Sequence, residues 1–238
     1  MKQLLVIISS LLFISTMSYG QFGNLLKKAE NIVKAESSTD NIGSGLKEAL
    51  EIGVNDAVAS LSSENGYFES PYKVLIPEEA RTVTDKVSKI PGFNNIEKDL
   101  IKKMNEAAEL AAQKASPIFI DAIKQMSFKD AMSILTGEQN AATRYLEGSS
   151  RESLYREFMP VIQSALDEVN ARGMWESAVN TYNKVPFTKK LNPELDDHVN
   201  QKALDGMFSL IEQKESGIRE DVNLRTTPLL KEVFAQQD

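Results

Sequence analysis

Apolar residues recur at helical spacing along nearly the whole chain after Ile42, and this periodicity restricts the fold more than any other feature. Leu46, Ala49, Leu50, Val54, Ala57, Val58 and Leu61 fall at i, i+3, i+4 intervals and make one apolar stripe. It stops before Asn65-Gly66, a turn dipeptide. Tyr67 to Pro77 is the one strand-like stretch, and a lone short strand has no partner, so it reads as a loop packed on helices. Pro77-Glu78-Glu79 opens a helix that closes near Ile90-Pro91-Gly92. Asn94 or Asn95 then caps a long stripe from Ile96 to Met126, read as one helix kinked at Pro117.

The later elements are marked by their starts. Ser127 to Asp130 forms a capping box ahead of a short helix ended by Thr136-Gly137. A short helix is expected around Asn140–Glu147. A separate one, capped by Ser149 or Ser150, carries Leu154, Phe158, Ile162 and Leu166, with Pro160 inside. Trp175, Val179 and Tyr182 mark the next. Asn192-Pro193-Glu194 and Thr227-Pro228 start the last two. The expectation is an all-α fold: a single irregular bundle of about eight helices, some kinked at internal Pro.

Composition agrees. The chain has 238 residues, 42% of them hydrophobic, enough for a core of its own. It contains no Cys, which removes disulfides, thiol catalysis, thiolate metal sites and any lipid-anchor cysteine. Lys2, the apolar run Leu4 to Ile14, and Ser18-Tyr19-Gly20 read as a signal peptide over 1–20, with Gln21 as the mature N-terminus. That run is shorter than the ~20 residues of a bilayer span, so no transmembrane segment is expected in the mature chain, which would be periplasmic or secreted. Residues 21–41 read as an amphipathic piece followed by a spacer, and 42–238 as the helical domain. The net charge of −7 disfavours phosphate backbones, so nucleic acid is not an expected partner.

The order of several short motifs carries a resemblance. They are Gly45-Leu46-Lys47-Glu48-Ala49-Leu50, Asn105-Glu106-Ala107-Ala108-Glu109, Asp121-Ala122-Ile123-Lys124-Gln125-Met126 and Asp130-Ala131-Met132-Ser133-Ile134-Leu135. Ala141-Ala142-Thr143-Arg144-Tyr145, Ala203-Leu204-Asp205-Gly206-Met207-Phe208, and Ile218-Arg219 through Arg225 complete the set. Over about residues 42–236 the chain resembles the bacterial domain-of-unknown-function family 4197. That resemblance implies an exported protein and no assigned activity. The chain departs from lipid-anchored members by lacking Cys, and it reads Asp221-Val222-Asn223-Leu224 where members often carry a Pro before the final Arg.

Candidate chemistry is sparse. A di-iron bundle needs two Glu-x-x-His motifs, and His198 is the only His. It follows Asp196-Asp197, with no Gly-x-Ser-x-Gly elbow, and reads as a surface His. Gly43-Ser44-Gly45 is not a phosphate loop. Glu106 and Glu109 could pair on a divalent ion, although acids at i, i+3 are more often solvated. No cofactor is expected. The polar residues within the shared motifs, Asn105, Glu109, Asp121, Asp130, Thr143, Arg144, Asp205, Glu215, Arg219 and Arg225, read either as helix caps and register-fixing ion pairs or as a polar pocket or partner face. The reading that follows is a non-catalytic binding or envelope-interaction protein, with an unidentified protein or small-molecule partner. A carboxylate-based hydrolase or carboxylate-held metal protein is the alternative.

Overall fold

The computed structural model describes residues 43–77, 96–168, 170–184, 186–187 and 189–235. The signal peptide, the 21–41 segment, the helix expected after Pro77 and the cap at Asn94 or Asn95 lie outside the described residues. Among the described residues there are eight α-helices and no strand. They are α1 (43–61), α2 (Ile96–Ala112), α3 (Ala115–Gln125), α4 (Phe128–Leu135), α5 (Ala141–Asp167), α6 (Ala171–Tyr182), α7 (Leu195–Glu220) and α8 (Pro228–Phe234). A 3-10 turn, Val222–Leu224, sits between the last two, its Asn223 N–H met by the Asp221 side chain. Residues Gly43–Asp238 form one compact unit.

The two longest helices are the centre, and a four-residue repeat explains why. In α5 the buried positions run Ala142, Leu146, Ser150, Leu154, Phe158, Ile162, Leu166. In α7 one buried row runs Leu195, Val199, Ala203, Met207, Ile211, Glu215, Arg219, beside a second through Asp196, Asn200, Leu204 and Phe208. An α-helix turns about 100° per residue, so each four-residue step advances the buried point by about 40° and seven positions sweep roughly two thirds of the circumference. A helix patterned this way must be covered from several sides. Accordingly α5 packs against α2, α3, α4, α6 and α7. Edge-to-face contact between Phe119 and Phe208, with ring centroids 5.7 Å apart, joins α3 to α7. Each fully buried Leu, Ile or Phe here stabilises the fold by about 1.5–3 kcal/mol.

Two expected elements are divided differently. The stripe from Ile96 to Met126 is two helices, broken at Gln113-Lys114, rather than one kinked helix. Pro117 lacks an N–H and its ring crowds the carbonyl four residues back, so it is accommodated in the first turn of α3 and ends α2 ahead of it. Conversely, the two helices expected on either side of Gly148-Ser149-Ser150 are one 27-residue helix. The Ser149 and Ser150 hydroxyls cap nothing; they donate back to the carbonyls of Tyr145 and Leu146 at 2.8 and 2.5 Å. Pro160 lies on the exposed side of α5, where water can take the carbonyl it leaves free.

Local start signals hold where both partners are close in sequence. Ser127 and Asp130 exchange the reciprocal hydrogen bonds of a capping box. The Thr227 hydroxyl accepts from Leu230 N, with Pro228 at the first position of α8. Asn192 instead accepts from Glu194 N at 2.9 Å, and α7 begins only at Leu195. After α1, Asn65 takes φ 62°, and a Cβ on Gly66 would fall 2.3 Å from the Ser60 carbonyl oxygen, so the turn requires glycine there.

Candidate functional site

The polar motif residues do not gather in one cleft. They form two buried clusters and a scatter on the surface.

The first cluster belongs to α2. Asn105 is wholly buried, and its amide accepts from Val74 N at 2.8 Å and donates to Val74 O at 2.9 Å, completing the backbone hydrogen bonding of a residue that lies in no helix. One turn on, the Glu109 carboxylate accepts from the N–H groups of Asn65, Tyr67 and Phe68 at 3.1–3.3 Å. Tyr67, also buried, donates to Ala203 O on α7 at 2.8 Å. Burial, then the nearby Glu109 charge, pushes its phenol well above the ordinary tyrosine range. Segment 62–77 therefore lies as turns and irregular backbone bonded to α2 and α7, in line with a packed loop. Glu106 turns away to Lys103 at 2.6 Å, so the i, i+3 acids do not converge.

The second cluster sits at the C-terminal end of α7. The Glu215 carboxylate accepts from Ala142 N, Thr143 N and the Thr143 hydroxyl at 2.8–3.0 Å, capping α5 from another helix. Arg219 grips the same carboxylate at 2.8 Å and donates to the carbonyls of Ile134 and Leu135, the last two residues of α4. Arg225, 1% exposed, donates to the carbonyls of Ile218 and Arg219 and so closes α7 itself. Chemically, these groups neutralise helix ends: a carboxylate faces orphan N–H groups and guanidinia face orphan carbonyls.

The remaining motif residues are at the surface. Asp205 pairs with Arg151 at 2.6 Å and Lys202 at 3.3 Å. Partial burial raises its carboxyl, but those hydrogen bonds outweigh burial and hold it below the ordinary range. Asp121 is exposed on α3. Asp130 and Arg144 are brought together. With Ser133, Ile134, Glu138, Ala141 and Tyr145 they line an open hollow of about 280 Å³ between α4 and α5. Arg144 bonds Glu138 across its rim. The hydrogen bonds from Ser127 keep the Asp130 carboxyl below its ordinary value.

A third polar cluster escaped the sequence reading. Asp196, 7% exposed, accepts from Gln163 at 2.7 Å and pairs with Arg172 at 3.4 Å. Asn200, four residues on, is wholly buried and donates to Tyr155 O. Tyr155 in turn donates to Asp197, and burial with that hydrogen bond pushes its phenol up to about 12. His198 is not a free surface residue. It is mostly buried, its Nε2 lies 2.8 Å from Leu75 O, and burial lowers its pKa. The signal was available: Asp196 and Asn200 precede Leu204 and Phe208 on a four-residue stripe.

Among the described residues no three His, Asp or Glu side chains lie together in a way that could hold a metal ion, and no helix is long and apolar enough to cross a membrane. No curated protein and no solved structure matches the chain. A family model does, over residues 36–235, which takes in the whole of the geometry above: the chain belongs to the family described as "Protein of unknown function (DUF4197)".

Proposed function

We propose that this is an exported protein of the cell envelope that works by binding and carries out no reaction. The observation that supports it is where the buried charge goes: Glu109, Glu215, Arg219 and Arg225 all bond backbone groups at helix ends or turns. An acid–base pair for catalysis has to face a substrate, and these face the fold. The binding face in this reading is the open hollow lined by Asp130, Glu138, Arg144 and Tyr145, where Arg144 pairs with Glu138 and the Tyr145 hydroxyl donates to Ala122 O. A small ligand carrying both charges fits that set. The export half rests on the charged, apolar and small-residue order of the first twenty residues.

Native mass spectrometry of the chain recovered from a periplasmic extract tests both halves. The expected result is a mass beginning at Gln21 with no bound metal. Retention of Met1 overturns export, and a stoichiometric divalent ion that survives desalting favours the carboxylate alternative. Arg144→Ala should then abolish whatever small ligand co-purifies, while leaving thermal unfolding within about 0.5 kcal/mol of the parent, as for a surface substitution.

A further inference from the structure

The turn after α1 holds a reactive pair of residues in check. Asparagine is chemically labile. It is most so ahead of glycine, whose backbone nitrogen has no neighbouring Cβ to hinder its approach to the asparagine carboxamide. Asn65-Gly66 is the one Asn-Gly pair in the chain. The hydrogen bonds described for Asn65 run through its backbone: its N–H donates to Glu109 at 3.3 Å and its carbonyl accepts from Glu69 N at 3.0 Å. Its half-buried carboxamide is thus left for chemistry. The Gly66 N–H, the group that would attack it, donates instead to Ser63 O at 2.9 Å. Glu109, 8% exposed, ties down both flanks through the N–H groups of Asn65, Tyr67 and Phe68. The nucleophile is therefore occupied while the segment is bonded, and released when it opens.

We propose that Asn65 is a self-modification site, and that its conversion makes the opening of segment 62–77 one-way. In the opened segment the Gly66 nitrogen attacks Cγ of Asn65 and forms a C–N bond. The side-chain nitrogen leaves as ammonia, carrying away the proton of the Gly66 N–H. Water then opens the resulting five-membered imide at either carbonyl, leaving aspartate or isoaspartate at position 65. Aspartate puts a second carboxylate on the residue whose own N–H donates to Glu109, and two carboxylates sharing a site short of water repel. Isoaspartate runs the main chain through Cβ. The path from the position-65 N–H to those of Tyr67 and Phe68 is then one carbon longer and no longer matches a single carboxylate. Either product keeps the α1 end of the segment from regaining its bonds. The step needs water and no partner, so it stands apart from the binding reading.

The test ages the full chain at neutral pH, in native buffer and in urea, and follows amide-to-acid conversion at Asn65 by fragment mass of the tryptic peptide Glu48–Lys73. Each charge-assisted hydrogen bond lost multiplies the open fraction by about tenfold or more. Conversion should therefore be at least about tenfold slower in native buffer than in urea, and in native buffer at least about tenfold faster in Glu109→Gln than in the parent. Chymotryptic cutting after Tyr67 or Phe68 reads the second half. Asn65→Asp should be cut at least about tenfold faster than the parent. Asn65→Gly keeps the N–H and suits the φ of 62°, so it should be cut at the parental rate and show no conversion. Equal conversion in native buffer and urea, or an unchanged rate in Glu109→Gln, overturns the protection. Asn65→Asp cut no faster than the parent, or Asn65→Gly cut as fast as Asn65→Asp, overturns the one-way opening. If Glu109→Gln does not fold, the urea comparison and the two Asn65 variants decide.

Discussion

Residues 62–77 and the connection after α6 both run outside the helices; the first is bonded to two helices along its length, while the bonds described for the second join its two ends, Asn183 and Leu191. Asn105, Glu109 and His198 reach the backbone of 62–77 from two helices, and Tyr67 reaches back from it to α7. Gly206 leaves room for this: a Cβ there would meet Tyr72 at 3.0 Å and Tyr67 at 3.2 Å. The difference follows from solvent. Backbone groups pressed between helices lose water and must find protein partners, whereas exposed residues such as Lys184 and Phe187 keep theirs. A connection that the fold has bonded throughout is part of the scaffold.

That contrast can be broken or sharpened by substitution. The largest effect is expected for Glu109→Ala, which leaves three N–H groups without their acceptor and should cost about 3 kcal/mol in urea unfolding; a loss below about 1 kcal/mol would mean the carboxylate does not hold the segment. Tyr67→Phe should cost about 1 kcal/mol through the Ala203 hydrogen bond. It should also flatten the alkaline limb of the stability profile. A phenol whose pKa is raised by folding stabilises fully below the unfolded value and loses that contribution as pH rises above it. Asn183→Ala should leave global stability within about 1 kcal/mol but speed tryptic cleavage after Lys184, because the join between Asn183 and Leu191 opens. Equal cleavage rates would remove that join from the account.

The pH dependence of the bonded segment is smaller still. Burial lowers the His198 pKa, Leu75 O opposes that, Lys202 adds to it and Asp197 opposes it. A depressed folded pKa contributes stability above the unfolded histidine value and loses it as pH falls through the folded one. Urea midpoints should therefore drop between pH 7 and pH 5 by more in the parent than in His198→Gln, and parallel curves would sink this assignment. The least effect on stability is expected at the other connection: Phe187→Ser should stay within about 0.5 kcal/mol, read by thermal unfolding. A marked loss would show that the ring packs rather than protrudes.

How much of this was legible depends on the distance between partners. The capping box at Ser127 and Asp130 and the start at Thr227-Pro228 were readable because each joins residues three apart. The stripes of α5 and α7 were readable because burial repeats every four residues. Gly148-Ser149-Ser150 misled, because serines that cap a helix from outside also fold back on carbonyls within one, and burial on both sides chose the second role. Asp196 was passed over because the acid pair beside His198 looked like a solvated helix start; Gln163 and Arg172, far back in the chain, are what bury it.

The sequence by itself determined the all-helical class, most helix positions and the family, since those depend on periodicity and on neighbours within a few residues. Only the tertiary structure decided what the motif charges do. Glu215 meets the start of α5 from 72 residues away, and Arg219 meets the end of α4 from about as far. A carboxylate has the same pattern in the chain whether it faces water, a substrate or a helix end; the burial around it, supplied by distant segments, selects its partner.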